Sequence, residues 1–118
     1  MRRISLNEWD YQYIMLMQSL IGSISSNFRL VSLRREDNSW KILFILECDN
    51  EQDMEEIEDE IMFSFEKYQY DNALYGTDKF SYDVRVSCEP INVSLQHKNE
   101  WIVFYRRENL NFYRDDHS

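Results

Sequence analysis

The chain predicts an α+β domain of two layers, an antiparallel sheet of four or five strands packed against two helices in the order αββαββ. Three observations predict it. Two long stretches repeat apolar residues at helical spacing, several shorter ones run or alternate at strand spacing, and the first two strands are separated by a short polar turn that favours a hairpin. The 118 residues are 43% hydrophobic and 15% aromatic, enough to bury a core, and two glycines and one proline leave no linker-like stretch. A single domain over residues 1–118 is therefore expected.

The first helix is expected from residue 6 or 7 to about 24. Ser5 and Glu8 have the spacing of a capping box, and Asn7 is a competing cap. Trp9, Tyr13, Leu16, Met17, Leu20, Ile21 and Ile24 fall on one broad face and read as core, with Tyr11, Met15, Gln18 and Ser19 opposite. Residues 28–34 and 40–48 read as strands around the turn Glu36-Asp37-Asn38-Ser39. The second, WKILFILEC, is apolar on both sides, as a central strand covered on both faces would be.

Asp49 is placed to cap a second helix reaching about residue 68, with acids in its first turn where the helix dipole favours them. Met54, Ile57, Ile61, Phe65 and Tyr68 form its expected buried stripe. After QYDNALYGTD, the run FSYDVRVSC alternates, with Phe80, Tyr82, Val84, Val86 and Cys88 inward. Pro90 ends it, residues 91–95 allow a short edge strand, and residues 101–106 supply another strand before a polar tail.

Charge is unevenly distributed. The segment ECDNEQDMEEIEDE, from Glu47 to Glu60, holds nine acids, while the remaining residues carry 13 acids against 13 bases, so this segment accounts for the whole net charge of −9. A charge so localised steers and orients an encounter with a basic partner, where scattered charge serves mainly solubility. On the second helix, Glu55, Glu56, Asp59 and Glu60 are expected outward, and Phe63 falls among them. A large aromatic inside a charged face has the form of an interface anchor with a steering rim; tucking beneath the adjacent loop is the other reading. Tyr70, Asp71, Tyr75 and Asp78 continue the same character.

Other chemistry finds little support in the residues. An EF-hand loop begun at Asp49 would need glycine where Met54 stands, so no metal or other cofactor is expected. Consecutive carboxylates on a solvated helix face do not make an acid–base dyad, His97 and His117 lie in no nucleophile signature, and Gly22 and Gly76 form no phosphate loop. No catalytic residue is named. Arg34-Arg35 and Arg106-Arg107 stand at strand ends, but an acidic helix on so small a domain repels a polyanion, so direct nucleic-acid binding is not expected. Cys48 and Cys88 end apolar strand patterns and read as buried reduced thiols. MRRISLNEWD does not read as a signal peptide and no segment is long and apolar enough for a membrane span, so a cytoplasmic location is expected, with no membrane partner.

In size, charge and αββαββ pattern, carried by NEWDYQYIMLMQSLI, WKILFILECDNEQDMEEIEDEI and WIVFYRRENL, the chain resembles the small acidic immunity proteins of bacterial contact-dependent growth-inhibition and related polymorphic toxin systems. The resemblance implies a non-enzymatic cytoplasmic inhibitor that binds a cognate toxin domain, commonly a basic nuclease, as a monomer or weak dimer. The alternative is a small acidic secretion chaperone or adaptor, similar to those of type III secretion, holding an effector segment as a dimer. Tyr11 and Met15 and the doubly apolar second strand would offer it a dimer surface.

Overall fold

A computed structural model describes residues 6–37, 39–70, 79–91 and 99–106. The order is α1 (Leu6–Leu20), β1 (Phe28–Glu36), β2 (Ser39–Leu46), α2 (Glu51–Glu56), a π-helical segment (Ile57–Ile61), α3 (Met62–Tyr70), β3 (Lys79–Val86) and β4 (Glu100–Tyr105). The last three helical pieces form one continuous helix, so the chain is α+β in the expected order. Ser5, residues 92–95 of the edge strand expected at 91–95 and both histidines lie outside the described residues, and Ile91 is described outside any strand.

The sheet runs β3-β2-β1-β4. β1 pairs antiparallel with β2, as the hairpin reading expected, and antiparallel with β4, but β3 lies parallel to β2, so the sheet is mixed rather than wholly antiparallel. The helix between β2 and β3 returns the chain to the end from which β2 began, and such a crossover makes the next strand parallel. The β1–β2 hairpin turns at Asp37, whose φ of 48° lies in the left-handed region that aspartate tolerates. As WKILFILEC implied, β2 is central. Trp40, Ile42, Phe44 and Leu46 are buried, and Lys41, Leu43 and Ile45 on the opposite face are half-buried.

The core lies between the sheet and the helices, where Leu16, Leu20, Ile57, Ile61 and Phe65 meet Phe28, Val31, Leu33, Ile42 and Phe44. All three tryptophans of the chain gather at one end of it. Trp9 stacks on Trp101 at 4.6 Å and meets Trp40 edge-on at 5.0 Å, fastening α1 to β2 and β4. The Arg35 guanidinium lies 5.0 Å from the Trp40 ring centre, a cation–π contact.

Two helix faces differ from the sequence expectation. On α1 the buried line is Glu8, Gln12, Leu16, Ser19 and Leu20, while Met17 and Ile21, expected in the core, are 41% and 77% exposed. Satisfied polar groups make this rotation possible. Gln12 and Gln69 of α3 donate to each other's amide oxygens, one bond measuring 2.8 Å, and the Ser19 hydroxyl donates to the Met15 carbonyl at 2.9 Å. A buried polar group with its bonds made carries little penalty, so a partly polar line can face inward when the tryptophan stack sets the helix there.

On the second helix Met54 is 38% exposed, Tyr68 is half-buried, and the buried line is Asp53, Ile57, Ile61, Phe65 and Gln69, each four residues from the last. In a regular α-helix that line would rotate by about 160° from end to end. The π segment, where the Met62 N–H donates to the Ile57 carbonyl five residues back, adds a residue to one turn and removes about 100° of the drift.

A polar network anchors the start of this helix. The cap is Asn50 rather than Asp49: its Oδ1 accepts from the Asp53 N–H at 2.9 Å. Asp53, buried, accepts from the Ser25 hydroxyl and the Asn27 amide, both at 2.9 Å. Asn27 also donates to the Cys48 carbonyl at 2.8 Å and accepts from the Cys48 N–H at 2.9 Å. Both cysteines are exposed and unbridged, contrary to the expected burial, because they lie beyond Leu46 and Val86, the last paired residues of β2 and β3.

Two stability measurements check these assignments. Gln12→Leu or Gln69→Leu alone leaves a buried amide without its partner and should cost about 1–3 kcal/mol in denaturant unfolding, whereas the double variant should recover most of that loss. Asp53→Ala should cost about 1–3 kcal/mol, and Asp59→Ala, on the solvent side of the same helix, less than about 0.5 kcal/mol.

Candidate partner-docking face

The acids between Glu47 and Glu60 have several roles. Glu47 pairs with Arg106 at 2.9 Å, and Asp53 belongs to the buried network above. Glu58 accepts from the Tyr82 hydroxyl at 3.3 Å, linking the π segment to the edge strand. Glu55, Asp59 and Glu60 are exposed and Glu56 is half-buried, and among the described residues none of these four has an ion-pair partner. They look away from the line of Ile57, Ile61 and Phe65, which the sheet covers. The π segment puts Glu58, Asp59 and Glu60 side by side in one wide turn.

Phe63 stands one turn further along and is 64% exposed, and Tyr70, at the end of α3, is 91% exposed. Among the described residues, then, the helix exposes Glu55, Asp59, Glu60, Phe63 and Tyr70, with Glu56 half-buried and Glu51, Glu58, Glu66 and Lys67 exposed as well. Asp71, Tyr75 and Asp78 lie outside the described residues. Near the start of the helix an open polar cleft of about 390 Å³ is lined by Ser25, Asn27, Asn50, Gln52, Asp53 and Glu56. Its lining offers hydrogen-bond acceptors and carboxylates to a visiting basic group, and its Ser25 hydroxyl is held by the Asp53 carboxylate at 2.9 Å.

Of the arginines singled out in the sequence, Arg34, Arg35 and Arg106 serve the sheet, and Arg107 lies outside the described residues. Arg34 pairs with Glu100 at 3.2 Å and Glu36 at 3.4 Å, and Arg106 joins Glu47 and the Ser26 carbonyl. Among the described residues no three His, Cys, Asp or Glu side chains gather as metal ligands would, and no helix is long and apolar enough to cross a membrane.

Sequence reasoning missed the outward side of α1, where Ile14 is 45% exposed beside Met17 and Ile21. Periodicity gave no usable signal there, because apolar residues occur on both sides of the helix and polar ones face the core.

Burial, then the Glu58 carboxylate and Asp59 behind it, raise the Tyr82 phenol above the usual tyrosine range. A raised folded value contributes stability that is complete below the unfolded pKa of about 10 and is lost as pH rises through the folded value. Denaturant midpoints should therefore fall more steeply above pH ~10 in the wild type than in Tyr82→Phe.

The family model for the MafI2 immunity protein matches residues 11–108, which spans α1 from Tyr11 through all four strands. No curated protein matches the chain. The match agrees with the resemblance seen in the sequence at the level of an immunity protein of a polymorphic toxin system. By this match over residues 11–108, the chain belongs to the MafI2 immunity protein family, whose role is to neutralise a toxin.

Proposed function

We propose that this immunity protein binds its cognate toxin domain directly, in the cytoplasm, through the solvent side of α2, the π segment and α3. The toxin domain is basic, in keeping with a nuclease delivered by contact-dependent growth inhibition or a related system. Glu55, Glu56, Asp59 and Glu60 attract and orient it, and Phe63 enters the contact. Inhibition is by occupancy: the bound acidic helix takes the place of the phosphate backbone that a nuclease cleft is built to hold. The immunity protein needs no catalysis of its own for this.

The observation that carries the reading is Phe63, 64% exposed next to carboxylates that have no ion-pair partner among the described residues. Leaving such a ring in water forgoes burial worth about 1.5–3 kcal/mol, which a partner can supply. The charges contribute less to affinity, since an exposed pair gives about 0–1 kcal/mol, but they act at a distance and speed encounter. Family membership supports a toxin as the partner.

The test is binding kinetics with the cognate toxin domain. Reversing Glu56, Asp59 and Glu60 to lysine should slow association by roughly tenfold or more at low salt and flatten its salt dependence. Phe63→Ala should leave association nearly unchanged and speed dissociation by roughly tenfold, the equivalent of about 1.4 kcal/mol. Wild-type kinetics in both variants would sink the proposal.

A further inference from the structure

α1 has an outward side that neither the fold nor the acidic face uses. Ile14 and Met17 on α1, and Ile21 in the turn just past its end, recur at three- and four-residue spacing and line up along one side, and they are 45%, 41% and 77% exposed. The line lies opposite Gln12 and Leu16, the residues that face α3 and the sheet. α1 and α3 are fastened side by side, with the Tyr11 hydroxyl donating to the Tyr68 carbonyl at 2.9 Å and Gln12 paired with Gln69. α1 and α3 therefore lie side by side in one layer, and the line, opposite both Gln12 and Leu16, faces away from the sheet, on the flank of α1 remote from α3.

We infer that the line of Ile14, Met17 and Ile21 is the apolar half of the toxin-docking surface, of which the acidic side of α2 and α3 is the charged half. The inference rests on the docking reading above and extends it to a second helix. Its occupant is the folded toxin domain, presenting an apolar patch bordered by lysine and arginine. Charge selects this occupant over a second copy of the chain. α1 exposes Asp10 and carries no Lys or Arg, and the neighbouring helix holds most of the acids behind a net charge of −9. A second copy docked on α1 would bring two acidic helix layers together, whereas a basic domain gains from the same field. The division also matches the anatomy of specific interfaces, where a desolvated apolar centre holds the complex and charges at the margin steer it.

The two halves predict different kinetics. In binding to the cognate toxin domain, Ile14→Asn/Ile21→Asn should associate within about threefold of the wild-type rate and dissociate at least ~10-fold faster. Its melting temperature should stay close to wild type, because both side chains are exposed in the free protein. Met17→Gln, a smaller change on the same line, should shift dissociation in the same direction.

Wild-type dissociation in both α1 variants, with association still slowed by the Glu56, Asp59 and Glu60 reversals, overturns the α1 inference and leaves the acidic docking reading standing. Failure of the wild-type protein to bind the toxin domain overturns the reading beneath it. A wild-type dimer that Ile14→Asn/Ile21→Asn converts to monomer, with toxin binding unchanged, assigns the face to a second copy and also overturns the inference.

Discussion

The helix that follows β2 must keep one side on the sheet along its whole length, and most of the molecule depends on that constraint. Its inward residues are four apart, a spacing that a regular α-helix turns progressively away from the surface it packs on. The π segment at Ile57–Ile61 restores the phase, so Ile57, Ile61 and Phe65 all reach the core and Gln69 arrives opposite Gln12. Because the inward line is continuous, so is the outward one, and the carboxylates and Phe63 share one side instead of spiralling around the helix. The same helix forms the crossover that sets β3 parallel to β2.

The placement of α1 follows from that helix and from the tryptophan stack. Once Gln69 is presented at the interface, an amide partner is needed there, and Gln12 supplies it. Trp9 between Trp40 and Trp101 fixes the rotation from the other side. The consequence is an unusual exchange in which Gln12 and Ser19 are buried while Met17 and Ile21 face solvent. Hydrogen bonds make the buried polar groups tolerable, but they contribute little net stability, so the exposed aliphatic side chains represent burial the free protein does not obtain. A protein whose task is to hold a partner has a use for such surface.

The acidic run shows how one stretch of like charge divides its work. Asp53 holds the helix start to the Ser25–Asn27 segment, Glu47 fixes Arg106, and Glu58 reaches the edge strand. The remaining carboxylates have no such tasks among the described residues and project a field into water. Crowding like charges on one helix opposes folding slightly, and a basic partner of the kind proposed above would relieve that repulsion on docking.

Much of the fold was legible in the chain. Apolar spacing predicted the α+β class, the element order and the central place of β2, because burial on one side or both leaves a period that sequence carries directly. The localisation of charge was legible too, as was Phe63 among the acids, since both need only a count and a helical phase. Three features were not legible: the parallel edge, the π turn and the rotation of α1. Each depends on a contact between residues far apart in the chain. The parallel pairing of β3 needs the crossover to land beside β2; the inward turn of Gln12 needs Gln69, 57 residues away, to complete its hydrogen bonds. Local pattern alone assigns Met17 and Ile21 to the core and Gln12 to no role. The sequence by itself determined what kinds of surface the protein owns, acidic and apolar, whereas the tertiary structure decided which apolar residues face water, because a buried polar group is tolerated only where a partner from another element meets it.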